Sequence, residues 1–283
     1  MPEDSDKYPT ESGRRRFVKG VVGSATLASV GTGAAAAVGT ATAPSGAGGG
    51  LTTFFAIENT EGPAPRGMPL VPVEVTSDGA LEGVWPDQVQ DGVAQMDLGG
   101  ATYSSSWFQY CGVQTYPGVA PSADQDNAFR VASGAGETYS WMSDLNAGDP
   151  LTVDMFDDYE TWGNDIGRDG LGKPAIASWR SVDVSPQATM VVQVLRSTRI
   201  QEIRADPPDG VDAGFLRAAT TEEGFIAWLN KCTHFCCVPG FKHIPGSASF
   251  GAEDRVYCQC HQSVYDPFSV VSGSFVALPR PEE

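Results

Sequence analysis

The sequence predicts a mainly β fold preceded by an N-terminal export or anchor segment, and three observations carry that expectation. Short β-type runs at 52–57, 70–75, 175–182, 190–195, 225–229 and 255–258 alternate with Gly, Pro, Asp and Ser. No stretch of the body sustains a capped period of 3.6 residues, which an amphipathic helix requires. Ahead of the body, an arginine cluster leads into a long uncharged run.

Taken in order, residues 1–19 end in Gly13-Arg14-Arg15-Arg16-Phe17-Val18-Lys19. Paired arginines, any residue, then Phe, an aliphatic residue and Lys resemble the twin-arginine export signal, whose pathway moves folded proteins. The uncharged segment 20–43 exceeds the roughly 20 residues that span a bilayer. Ala, Gly, Ser and Thr dilute its hydropathy. Ala41-Thr42-Ala43 has the form of a cleavage site, but Pro44 follows it and obstructs cleavage. The expectation is an uncleaved anchor in the cell membrane, arginines in the cytoplasm, and the body on the extracytoplasmic face. Residues 44–50 (PSGAGGG) read as a flexible tether. Residues 51–150 read as a β-rich extension, weakly patterned from 101 to 151, and 151–283 as the domain that carries the chemistry.

Charge narrows the partners. Thirty-five acidic residues face 18 basic ones, a net charge of −17, and only five of the basic residues are lysines. Such a surface repels nucleic acid and anionic lipid. It stays soluble where salt shortens the screening length to about 3 Å, as at about 1 M, and is the surface of a halophilic microbe's protein.

Cysteine and histidine placement points to a metal or redox site. Five of six cysteines and two of three histidines fall in two short boxes. These are Cys232-Thr233-His234-Phe235-Cys236-Cys237 and Cys258-Gln259-Cys260-His261-Gln262-Ser263-Val264-Tyr265-Asp266. Each supplies one Cys and one His at close spacing, as two loops closing on a bimetallic cofactor would. Two neutral imidazoles in place of two thiolates remove negative charge from an iron–sulfur centre and raise its potential by hundreds of millivolts. Zinc is the simplest competitor for four such ligands. Cys111 stands apart and reads as a small buried hydrophobe. His243 reads as an ordinary surface or second-layer histidine. The acidic run Asp154, Asp157, Asp158, Glu160, Asp165 and Asp169 lacks calcium-loop spacing and reads as a solvated face.

The pattern Cys-Thr-His-x-x-Cys followed by Cys-x-Cys-His-x-Ser-x-Tyr resembles the Rieske iron–sulfur subunit of quinol-oxidising cytochrome bc-type complexes. The resemblance is specific over 232–266 and looser at Gly172-Lys173-Pro174 and Trp179-Arg180. It implies an antiparallel β sandwich with a small cluster-binding subdomain. It implies a [2Fe–2S] cluster with Cys232 and Cys258 on the inner iron, and His234 and His261 on the outer one. Those two imidazoles would receive the quinol. It pairs Cys237 with Cys260 in a disulfide, and assigns hydroxyl hydrogen bonds to Ser263 (bridging sulfide) and Tyr265 (cysteine sulfur). Ala277-Leu278-Pro279-Arg280-Pro281 resembles the proline loop that covers the cluster. Relatives continue into another strand there, so this sheet closes differently or takes that strand from elsewhere.

The implied partners are a cytochrome b-type membrane subunit, quinol, and a downstream cytochrome or blue-copper protein. Two departures stand out. Phe235-Cys236 replaces Leu-Gly, so Cys236 competes with Cys237 for Cys260, and Gln262 replaces a glycine. Rieske oxygenases share the histidine spacing but lack the disulfide cysteines. The alternative within the disulfide-bearing group is an exported subunit of a molybdenum oxidoreductase, arsenite oxidase among them, or of a nitrate-respiration complex.

Overall fold

The apolar runs fold as strands, and the computed structural model describes them over residues 47–208 and 210–281. In chain order the strands are β1 (Gly50–Glu61), β2 (Met68–Pro69), β3 (Val73–Val75), β4 (Leu81–Gly83), β5 (Gln88–Gln90), β6 (Val93–Leu98) and β7 (Ala101–Ser104). There follow β8 (Arg130–Val131), β9 (Lys173–Trp179), β10 (Met190–Arg196), β11 (Phe225–Leu229), β12 (Gly240–Phe241), β13 (Val256–Cys258) and β14 (Ser263–Ala277). The fold is mainly β and its strand pairings are antiparallel. A five-stranded sheet runs β12-β13-β14-β1-β2, a four-stranded one β11-β10-β9-β8, and two small sheets join β3-β4 and β5-β6-β7.

The run 225–229 is β11 residue for residue, and 190–195 lies inside β10. The run 175–182 overlaps β9, which stops at Trp179 because Arg180 turns left-handed at φ 47°. The run 70–75 breaks at Pro72, which has no N–H to give a ladder. Before the break, Leu70 N–H donates to Phe55 O and Val71 N–H to Ala227 O, so this short stretch ties the five-stranded sheet to the four-stranded one.

Two capped helices contradict the expectation of none. They are α1 (Thr198–Ala205), capped by Ser197, and α2 (Ala213–Ala219), capped by Asp212. Each has about two turns and buries two or three side chains, Ile200 and Ile203 in α1 and Phe215, Leu216 and Ala219 in α2. That is too short to show as a period. The weakly patterned 101–151 folds as loops with β7, β8, four short 3₁₀ segments and a one-turn helix at Ala135–Thr138, around buried Trp107, Phe108, Tyr110, Phe129 and Tyr139.

One continuous core joins both large sheets. Strands cross the 150/151 boundary in each: β1 lies between β14 and β2, and β8 pairs with β9. β14 pairs with β1 from Gly50↔Ala277 to Glu61↔Val264, so the strand that flanks the second box comes from the start of the described chain. Ala47 O accepts from Arg280 N–H at 2.8 Å, so the described part of the expected tether is bonded to the body. The signal and anchor expected at 1–19 and 20–43 lie outside the described residues. Among the described residues no helix is long and apolar enough to cross a membrane.

Candidate metal centre

The second box is a hairpin turn. Cys258 pairs with Ser263 at the end of the β13–β14 ladder, leaving 259–262 as the turn. Gln262 N–H donates to Cys258 O at 2.9 Å, and Gln262 sits in the left-handed region at φ 63°. A glycine takes this conformation without strain, which accounts for the glycine that the resemblance places there. The first box follows β11 and has no strand partner. Its base is closed by Cys232 N–H donating to Cys237 O at 2.7 Å, and by Asn230 Nδ2 donating to Pro239 O at 2.8 Å.

Covalent links fix the first box. Cys237 pairs with Cys260, as the resemblance implied. Cys236 pairs with Cys111, 125 residues away. Cys111 is therefore a disulfide partner, and the expectation of a small buried hydrophobe is corrected. The competition between Cys236 and Cys237 for Cys260 is resolved the same way. Only Cys232 and Cys258 remain as free thiols among the described residues, both buried. The sulfurs of Cys237, Cys258 and Cys260 lie within 4.8 Å of one another. Two of them are bonded together, so this trio does not offer three free ligands.

The two thiols face each other, and each is ringed by N–H groups of its own loop. The hydrogen bond to Cys258 draws the Cys232 thiol well below its ordinary range. Burial opposes this, and Tyr265 with the N–H groups of His234 and Phe235 adds to it. The same bond pushes Cys258 upward, burial adds to the rise, and the N–H groups of Cys260 and His261 offset part of it. Tyr265 is fully buried. Its hydroxyl donates to Cys232 Sγ at 3.2 Å and accepts from Thr233 N–H at 3.3 Å. Ser263 Oγ, also fully buried, accepts from Ala64 N–H at 3.2 Å, which leaves its own hydrogen for another acceptor.

The two histidines of the boxes lie together. The rings of His234 and His261 are 4.7 Å apart at 84°. Phe235, 65% exposed, packs on both, at 4.5 Å from His234 and 4.9 Å from His261. His261 is exposed, whereas Nδ1 of His234 is buried without a hydrogen-bond partner. A buried, unpartnered imidazole nitrogen is costly unless it has a ligand to bind. The two boxes thus offer two free thiols and two imidazoles, one of them with an orphaned nitrogen, a donor set suited to a metal.

No family model, curated protein or solved structure matches this chain. The site therefore stands on its own residues.

A further element meets the boxes: the loop Gly62-Pro63-Ala64-Pro65-Arg66. Besides the Ala64–Ser263 bond, the Thr233 hydroxyl donates to Arg66 O at 2.6 Å. Gly62 (φ +84°) lies so close that a Cβ would meet Gln262 O at 2.4 Å. The covering role expected of 277–281 is corrected accordingly. Leu278 N–H bonds to Gln109 O and Arg280 N–H to Ala47 O, which seats that segment along the start of β1. Two prolines flanking Ala64, which hold a loop extended, were the available signal for this covering loop. Cysteine arithmetic was the signal for Cys111, because six minus two ligands leaves two pairs.

The remaining candidates are structural. Lys173 binds Asp158 at 2.6 Å and stacks on Trp141, and Arg196 reaches Asp157 at 3.5 Å, so the acidic run anchors two cations of the sheet. Arg180, buried, donates to Gly118 O and Asn127 Oδ1. His243 Nδ1 lies 2.9 Å from Thr138 O.

Proposed function

We propose that this chain is an exported electron carrier that holds a Rieske-type [2Fe–2S] cluster on Cys232, Cys258, His234 and His261. In this reading it takes an electron and a proton from quinol in a cytochrome bc-type complex, with a cytochrome b-type membrane subunit beside it. A cytochrome or blue-copper protein receives the electron. The observation that carries the reading is that the two boxes pair their imidazoles and keep Cys232 and Cys258 as free buried thiols, with every other cysteine tied into a disulfide. The disulfides also suit an oxidising, extracytoplasmic compartment.

When bound, the cluster supplies a one-electron acceptor at high potential, because neutral imidazoles replace two thiolates. The chain's own groups do the rest. His261, exposed at the tip, offers a ring nitrogen to which a quinol hydroxyl donates a hydrogen bond and then its proton. Phe235 packs on both imidazoles and offers the quinone ring an exposed apolar face beside them. The Tyr265 hydroxyl and the loop N–H groups stabilise negative charge on the cysteine sulfurs, which favours the reduced state.

The test is electron paramagnetic resonance of the reduced full chain and its His234→Ala and His261→Ala variants. The reading expects a rhombic Rieske-type spectrum in the parent chain and its loss in both variants. A spectrum unchanged in His234→Ala overturns the ligand assignment.

A further inference from the structure

Arg66 follows the covering loop, and its surroundings are unusual for a cation in so acidic a protein. Its guanidinium carbon lies 3.9 Å from the ring centre of Phe275, 4.9 Å from Tyr110 and 6.0 Å from Phe54. Its Nε is buried without a hydrogen bond. No carboxylate pairs with it among the described residues. A half-buried charge held by ring faces alone lacks the compensation that such groups ordinarily find. Cation–π contact returns only about 0.5–2 kcal/mol of that cost.

Arg66 O accepts from the hydroxyl of Thr233, the neighbour of Cys232. The Tyr110 phenol, whose ring faces the guanidinium, donates to Lys231 O at 2.8 Å, on the other side of Cys232. Arg66 is thus tied to both chain neighbours of Cys232, whose sulfur accepts from the Tyr265 hydroxyl. Around the guanidinium the neighbours are aromatic, a low-dielectric setting in which charges act more strongly than in water.

We infer that Arg66 is the charge partner of the cysteine side of the centre, a tuning residue that stabilises the extra negative charge of the reduced cluster and so raises its potential. The inference rests on the cluster reading above. It gives the loop a double role, since the segment that covers the boxes also delivers a fixed positive charge beneath them.

The test is a redox titration of the assembled full chain, followed by its paramagnetic signal, in the parent, Arg66→Met and Arg66→Lys forms. Arg66→Gln stands in should Arg66→Met fail to assemble. Removing the charge is expected to shift the reduction equilibrium about tenfold toward the oxidised state, about 59 mV for one electron. Arg66→Lys is expected to restore most of that shift. An unmoved potential in the neutral variant, or an equal fall in Arg66→Lys, overturns the inference while the cluster reading stands. A parent chain without any iron–sulfur signal overturns both.

Discussion

The two cysteine loops face one another and are built by opposite means. The second is a four-residue turn between paired strands, so the Cys258↔Ser263 register shapes it locally. The first has no partner strand and hangs from covalent links, to Cys260 at a separation of 23 residues and to Cys111 at 125. Adjacent cysteines, Cys236 and Cys237, pull it in two directions, one toward the facing loop and one toward the body. A ligand loop within a sheet inherits its rigidity, whereas one outside a sheet acquires rigidity by cross-linking. Both solutions deliver the same product, a buried thiol ringed by N–H groups with a histidine two or three residues on.

The largest effect tests what the loops share. Cys258→Ser is expected to abolish metal loading completely, as is His234→Ala. Iron and labile sulfide analysis of the purified chain checks this, and retained iron in either variant breaks the equivalence of the two loops.

Next comes the difference between the links. Loop-closure entropy assigns about 5 kcal/mol to a cross-link spanning 125 residues and about 3 kcal/mol to one spanning 23. The Cys111→Ser/Cys236→Ser pair should therefore lower unfolding stability more than Cys237→Ser/Cys260→Ser does. Denaturant unfolding measures both, and the reverse order contradicts the account. Cys111→Ser alone frees Cys236 to compete for Cys260, and non-reducing peptide mapping should then find two pairings.

Ser263→Ala orphans the buried Ala64 N–H and should cost about 1–3 kcal/mol. It should also lower the cluster potential, because one hydroxyl donor is lost; an unchanged potential removes Ser263 from the tuning set. The smallest effect is Gln262→Gly. It relieves the left-handed turn of the second loop and should stabilise the chain by up to about 1 kcal/mol in thermal unfolding.

This contrast also explains what was legible in the sequence. The second box stood out because Cys258, Cys260, His261, Ser263 and Tyr265 lie within eight residues, and they fold as one hairpin. β11 was legible because it is a continuous apolar run buried at every position, and β10 because apolar residues fill five of its seven positions. Cys111 was legible only through the cysteine count, because nothing local marks a partner 125 residues distant. The covering loop and Arg66 escaped for the same reason: β1 carries them to the boxes by pairing with β14 across more than 200 residues. The short helices α1 and α2 were missed because two turns offer too few apolar positions to set a period.

The central claim is that Cys232, Cys258, His234 and His261 hold a two-iron, two-sulfide cluster. Metal and sulfide analysis combined with paramagnetic resonance on the full chain, expressed where iron–sulfur clusters are assembled, tests it most directly. The account predicts two irons and two labile sulfides per chain, with a Rieske-type spectrum on reduction. One zinc per chain and no paramagnetic signal would contradict it.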